Sequence, residues 1–168
     1  MIAQLGRLWP ADPLPFCALL AACLYLLAIG FRLGWIDART HTLPNRIVFP
    51  AYAVAPALLA TAALAGGGTA RLWGMLGGGA ALWSFYFLLR FVYPAGMGFG
   101  DVKLAGVLGM YLGYLGAGHL LWATFAAFAL GGLYGIVLVA LRRGSLKSAI
   151  PFGPFMLLGA VAAMLPAA

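Results

Sequence analysis

Long apolar runs with almost no charge between them constrain this 168-residue chain more than any other feature. Its residues are 65% hydrophobic and 8% charged, and the mean hydropathy is +1.04. A soluble domain carries about 25% charged residues to keep its surface wetted, so the chain reads as an integral membrane protein. The runs lack the alternation of barrel strands. Aromatic residues at 14% and 24 glycines suit helices packed closely in lipid. The expected fold class is therefore all-α: one polytopic, membrane-embedded domain over residues 1–168.

Segments near the 20 residues or so needed to cross about 30 Å of hydrocarbon fall at residues 14–34, 47–65, 72–92, 102–117, 119–141 and 150–167, which predicts about six transmembrane helices. The fourth is short and turns tightly into the fifth around Gly116 and Gly118, as in a helical hairpin. The tetrapeptide Leu20-Ala21-Ala22-Cys23 resembles a lipoprotein cleavage box, but the hydrophobic run continues through it, which places it inside the first span. Cys17 and Cys23 lie in that same run without a CxxC partner, so neither a disulfide nor a metal site is expected.

The ten basic residues are spread singly and form no nucleic-acid-binding face. Arg32, Arg39, Arg46, Arg90, Lys103, Arg142, Arg143 and Lys147 fall on one side of the predicted spans, with only Arg7 and Arg71 on the other. By the positive-inside rule the first group faces the cytoplasm and both termini lie outside. Arg142, Arg143 and Lys147 then serve as topology signals and contacts for anionic lipid heads.

The chain has no glutamate and three aspartates. Asp12 precedes the first span on the outer side and reads as a solvated tail residue. Asp37 is expected in the first cytoplasmic loop and Asp101 at the start of the fourth span. Singly, Asp37 could be neutralised by Arg32 or Arg39, and Asp101 could cap its helix. Together they place two carboxylates at one membrane face, where ionisable groups are expensive and commonly functional. Two acids sharing a desolvated site cannot both ionise easily. Such a pair can activate water against a peptide carbonyl and protonate the leaving nitrogen. It can equally relay protons in a small proton-coupled transporter. A structural subunit of a secretion machine is a third reading.

The stretch GMGFGDVKLAG, residues 96–106, contains GxGD as Gly98, Phe99, Gly100 and Asp101. It resembles the second catalytic motif of the type IV prepilin peptidases, membrane aspartic proteases of the GxGD kind. The run from Asp37 through Leu43, Pro44 and Asn45 resembles that family's first motif. IPFGPFMLLGA, from Ile150 to Ala160 and including Pro151, Phe152, Gly153 and Pro154, resembles a third stretch common in the family.

That resemblance implies an aspartic endopeptidase of the bacterial cytoplasmic membrane, with Asp37 and Asp101 as a dyad facing the cytoplasm. It would cleave the basic leader from prepilins or pseudopilins just before their hydrophobic helix. No cofactor is implied. The long members carry a cysteine-rich insertion before the first Asp, associated with N-methylation. Gly34 to Asp37 leaves no room for one. The chain is similar to the short peptidases of tight-adherence (Flp-type) pili, and methyltransferase activity is not expected.

Of the accompanying residues, Lys103 cannot share a helix face with Asp101 and reads as an interfacial anchor or a tuner of the dyad. His41 and His119 read as a solvated loop residue and an outer interfacial residue. Pro151 and Pro154 are expected in the first turn of the last span, where proline is tolerated. Ala105, Gly109 and Gly113, and Gly131 with Gly135, read as close-packing seams.

Overall fold

The computed structural model describes residues 1–9, 12–94, 96–142 and 151–165. Within these the chain is all-helical, in the order α1 (Ile2–Leu8), α2 (Pro13–Thr40), α3 (Asn45–Ala65), α4 (Thr69–Val92), α5 (Phe99–Leu115), α6 (Ala117–Ala140) and α7 (Gly153–Met164). Four of them, α2, α3, α4 and α6, are long and apolar enough to cross a membrane. The remaining two predicted spans are shorter, with 17 residues in α5 and 12 in α7. Arg143, Lys147 and Ile150 lie outside the described residues.

Two features depart from the sequence expectation. Helix α1 has only seven residues, including Gln4 and Arg7, too short and polar to register as a hydrophobic segment. Helix α2 runs on past the apolar run to Thr40, so Asp37 is in its last turns and not in a loop. Its 28 residues come to about 42 Å at 1.5 Å per residue, more than the roughly 30 Å hydrocarbon core. The helix is therefore long enough to cross that layer with residues to spare. His41 closes the helix with φ 53°, and its N–H donates to the Asp37 carbonyl.

Helix α5 is the buried centre. Its N-terminal half is tied to α3 by the Tyr52 hydroxyl, which donates to the Lys103 carbonyl at 2.6 Å. Further along, the Tyr111 hydroxyl donates to the Ala22 carbonyl of α2 at 3.0 Å. The predicted glycine seam is real, and its partner is α4: a Cβ on Gly109 or Gly113 would run into the backbone of Gly78 or Gly74. A single residue, Gly116, joins α5 to α6 at φ 127°, a backbone conformation that favours glycine. The hairpin is as tight as expected, yet α5 packs far more closely on α4 than on α6. The α6 seam differs too: Gly131 faces the ring of Phe152, while the close backbone approach to α7 is made by Gly159 against Ala123 and Ala127.

Candidate active site

Alternation of the helices brings the C-terminal ends of α2 and α4 and the N-terminal ends of α3, α5 and α7 to one end of the bundle, where inter-helix bonds join them. There, Asp37 and Asp101 are 4% and 8% exposed and are the only buried charged side chains among the described residues. They come from different helices yet interact electrostatically with each other. Asp12 is exposed and takes no part.

Each carboxylate is held by a backbone amide. The Gly153 N–H, at the start of α7, donates to Asp37 Oδ2 at 2.9 Å. A Cβ at Gly153 would sit 2.7 Å from that oxygen, so any side chain there would push the carboxylate away. The Gly98 N–H donates to Asp101 Oδ2 at 3.2 Å. This corrects the expected geometry: the N-cap is Gly98, and Asp101 sits three residues on and reaches back, as the acidic member of a capping box does. The carboxyl group also lies in the first turn of α5, where the helix dipole favours its ionised form.

The supporting motif residues interlock. Gly100 lies against Leu43, where a Cβ would come within 2.8 Å of the leucine Cβ. Lys103 Nζ donates to Asn45 Oδ1 at 2.9 Å and lies 4.9 Å and 4.7 Å from the ring centres of Phe49 and Phe99. Lys103 thus points away from Asp101 and ties α5 to the Leu43-Pro44-Asn45 corner; Pro44 is the N-cap of α3. Phe152 packs on Tyr86 and Phe128, with ring centres 6.3 Å and 5.0 Å apart. Pro154 occupies the first turn of α7 as expected, but Pro151 precedes the helix. His41 is exposed and hydrogen-bonds neither carboxylate among the described residues, yet it interacts electrostatically with Asp37.

Two residues that sequence reasoning passed over are brought to the pair. Arg90, counted only as a topology charge, donates to the Met97 carbonyl at 2.5 Å, lies over Phe99 and interacts electrostatically with Asp101. Tyr86 is 2% exposed and also interacts with Asp101. A basic residue at the end of a span, eight positions before the GxGD stretch, was the available signal for Arg90. Nothing in the run Trp83-Ser84-Phe85-Tyr86-Phe87 distinguishes Tyr86 from its aromatic neighbours.

Beside Asp37, an apolar groove of about 410 Å³ runs between α2 and α7, lined by Gly34, Trp35, Ala38, Pro154, Leu157 and others. Among the described residues no cluster of His, Cys, Asp or Glu is arranged to hold a metal ion.

Residues 17–136 match the type IV leader peptidase family. The chain is 30% identical to a prepilin leader peptidase/N-methyltransferase of Stutzerimonas stutzeri over 147 residues, covering 86% of this chain and 50% of that protein. It is 32% identical over 149 residues to the leader peptidase HopD of Salmonella typhimurium, covering 79% of this chain and 84% of that one. With a prepilin leader peptidase/N-methyltransferase of Escherichia coli the identity is 29% over 88% of this chain and 64% of that one. The chain thus spans about half the length of the Stutzerimonas relative. No solved structure matches it.

Proposed function

The chain belongs to the type IV leader peptidase family, and on that footing we propose that it is an aspartic endopeptidase removing the leader from prepilin-like substrates. The observation that carries the reading is the convergence of Asp37 and Asp101, from separate helices, as the only buried charged side chains of the described residues.

Two carboxylates sharing one desolvated site cannot both ionise easily, so one can keep a proton while the other is charged. In the proposed reaction the ionised carboxylate takes a proton from a water molecule, whose oxygen attacks the scissile carbonyl carbon. The protonated partner hydrogen-bonds the carbonyl oxygen as it gains charge. Collapse of the tetrahedral intermediate breaks the C–N bond, and a proton delivered from the pair makes the leaving nitrogen an amine. The amides of Gly153 and Gly98 fix the two carboxylates so that little reorganisation accompanies these steps. Lys103, Asn45, Leu43 and Gly100 hold the helix ends in register and are positioning residues.

The eight-to-two division of basic residues supports placing this end at the cytoplasmic face, with both termini outside. A prepilin leader is basic and stays in the cytosol while the following helix lies in the membrane, so the scissile bond would meet the pair at that face. The groove between α2 and α7 offers the apolar helix a surface that begins one residue from Asp37. Methylation of the new N-terminus is left to a separate enzyme in this reading, although the Stutzerimonas and Escherichia relatives carry methyltransferase in their names. No relative above is a transporter, and nothing in the site favours that alternative.

Coexpression with a Flp-type prepilin, followed by gel mobility of the substrate, tests the proposal. Cleavage by the wild-type chain and none by Asp37→Asn or Asp101→Asn is expected. Wild-type cleavage by both variants would remove the dyad, and an unchanged pilin in every lane would remove the substrate class.

A further inference from the structure

Arg7 and Arg71, the two basic residues that run against the chain's charge asymmetry, come together at the end of the bundle away from the aspartates. There α1 lies against the end of α7, with the Met1 nitrogen donating to the Met164 carbonyl at 3.1 Å. A cavity of about 110 Å³ is lined by Met1, Gln4, Arg7, Arg71, Leu115 and His119.

Arg7 sits in the last turn of α1, where the helix dipole favours a cation, but helix stability does not explain Arg71. Arg71 stands in the first turn of α4, where the positive end of the helix dipole disfavours a cation, and that turn contains no acid. The Arg71 guanidinium lies 5.6 Å from the ring centre of Tyr114 and has no carboxylate partner among the described residues. The Tyr114 side chain is 2% exposed, and its hydroxyl has no hydrogen-bond partner; Gln4 Oε1 is also buried and unpartnered. Such orphaned groups are rare in folded proteins. From Arg71, Tyr114 and Gln4 an apolar groove of about 750 Å³ runs between α4 and α6, floored by Gly74, Gly77 and Ala81 and walled by Leu121.

A cationic head with hydroxyl and amide donors, opening onto an apolar trough in the bilayer, complements an anionic amphiphile in both charge and shape. We propose that this end of the bundle binds an anionic phospholipid. Its phosphodiester oxygens accept from the Arg71 guanidinium and the Tyr114 hydroxyl, and one acyl chain lies along the glycine-floored groove. The Gln4 amide, whose nitrogen and oxygen exchange places by rotation, supplies a further donor. The site is independent of the aspartate pair.

Thermal unfolding of the detergent-purified chain, titrated with short-chain phosphatidylglycerol, phosphatidylcholine of the same chains, or inorganic phosphate, tests the site. Phosphatidylglycerol is expected to raise Tm at concentrations where phosphatidylcholine and inorganic phosphate do not. Arg71→Gln should weaken the phosphatidylglycerol effect about fivefold in concentration, and Tyr114→Phe should weaken it less. Arg71→Lys should keep most of it, which also guards against an Arg71→Gln chain that fails to fold. Equal responses to the two lipids, or an undiminished response in a folded Arg71→Gln chain, would overturn the proposal. An equal response to inorganic phosphate would assign the pocket to a small anion and overturn the lipid.

Discussion

Helices α5 and α6 are joined by one residue, yet they live in opposite surroundings. In α5 twelve residues are buried, from Asp101 to Tyr114, whereas in α6 only Ala123, Ala127 and Gly131 are. Leu121, Trp122, Phe125 and Ile136 of α6 face outward, each more than 60% exposed. The helix with an aspartate and a lysine occupies the centre, and the more uniformly apolar helix faces lipid. In water the preference runs the other way. In a bilayer the hydrocarbon is the solvent, so the helix that can be satisfied only by other protein groups is drawn inside.

The largest test of that contrast concerns chemistry. Asp101→Asn and Asp37→Asn are each expected to lower prepilin cleavage by about 10²–10⁴-fold with helix content unchanged by circular dichroism. A variant that keeps its activity would reduce the buried acid of α5 to a helix cap. Next comes packing. Gly109→Ala drives a methyl group into the backbone of Gly78 and should lower stability by about 1–3 kcal/mol in thermal or denaturant unfolding. A wild-type Tm would mean that the α4–α5 seam is looser than described.

A smaller effect is expected where α5 is tied to its neighbour. Lys103→Met and Asn45→Ala should each cost about 0.5–1.5 kcal/mol, and the double variant should cost less than the sum, as a double-mutant cycle can read. Full additivity would dissolve the Lys103–Asn45 bond as a link between motifs. The smallest effect belongs to α6. Gly132 has nothing within 4 Å of where a Cβ would lie, so Gly132→Ala should be neutral or raise stability by up to about 1 kcal/mol. Marked destabilisation there would show that α6 has a partner on its outer face.

The same contrast explains what the sequence reveals. Helix α6 can be read to within two residues from hydropathy, because its environment is hydrocarbon and its composition follows it. The start of α5 is marked by Gly98 and Asp101, but its burial is not, because that depends on glycines of α4 meeting glycines of α5 across the bundle. The resemblance of short motifs singled out both aspartates. It could not reveal that Asp37 is helical, since Asp37, Arg39 and Thr40 interrupt the apolar run from which the end of α2 would be read. Nor could it reveal Tyr86 and Arg90, whose approach to Asp101 is set by the packing of α4 on α5. Local pattern encodes the long apolar helices, and only the assembled bundle brings the third motif's Gly153 to Asp37.

The Gly153 bond has a consequence in time. Its donor and acceptor are 116 residues apart, so at a synthesis rate of about 5–20 residues per second the Asp37 carboxylate waits roughly 6 to 23 s for its amide. For the last 52 residues of that interval, about 3 to 10 s, both acids of the proposed dyad are already made. A nascent chain that stalls after α6 therefore carries both aspartates without the Gly153 amide that holds Asp37 in the finished bundle.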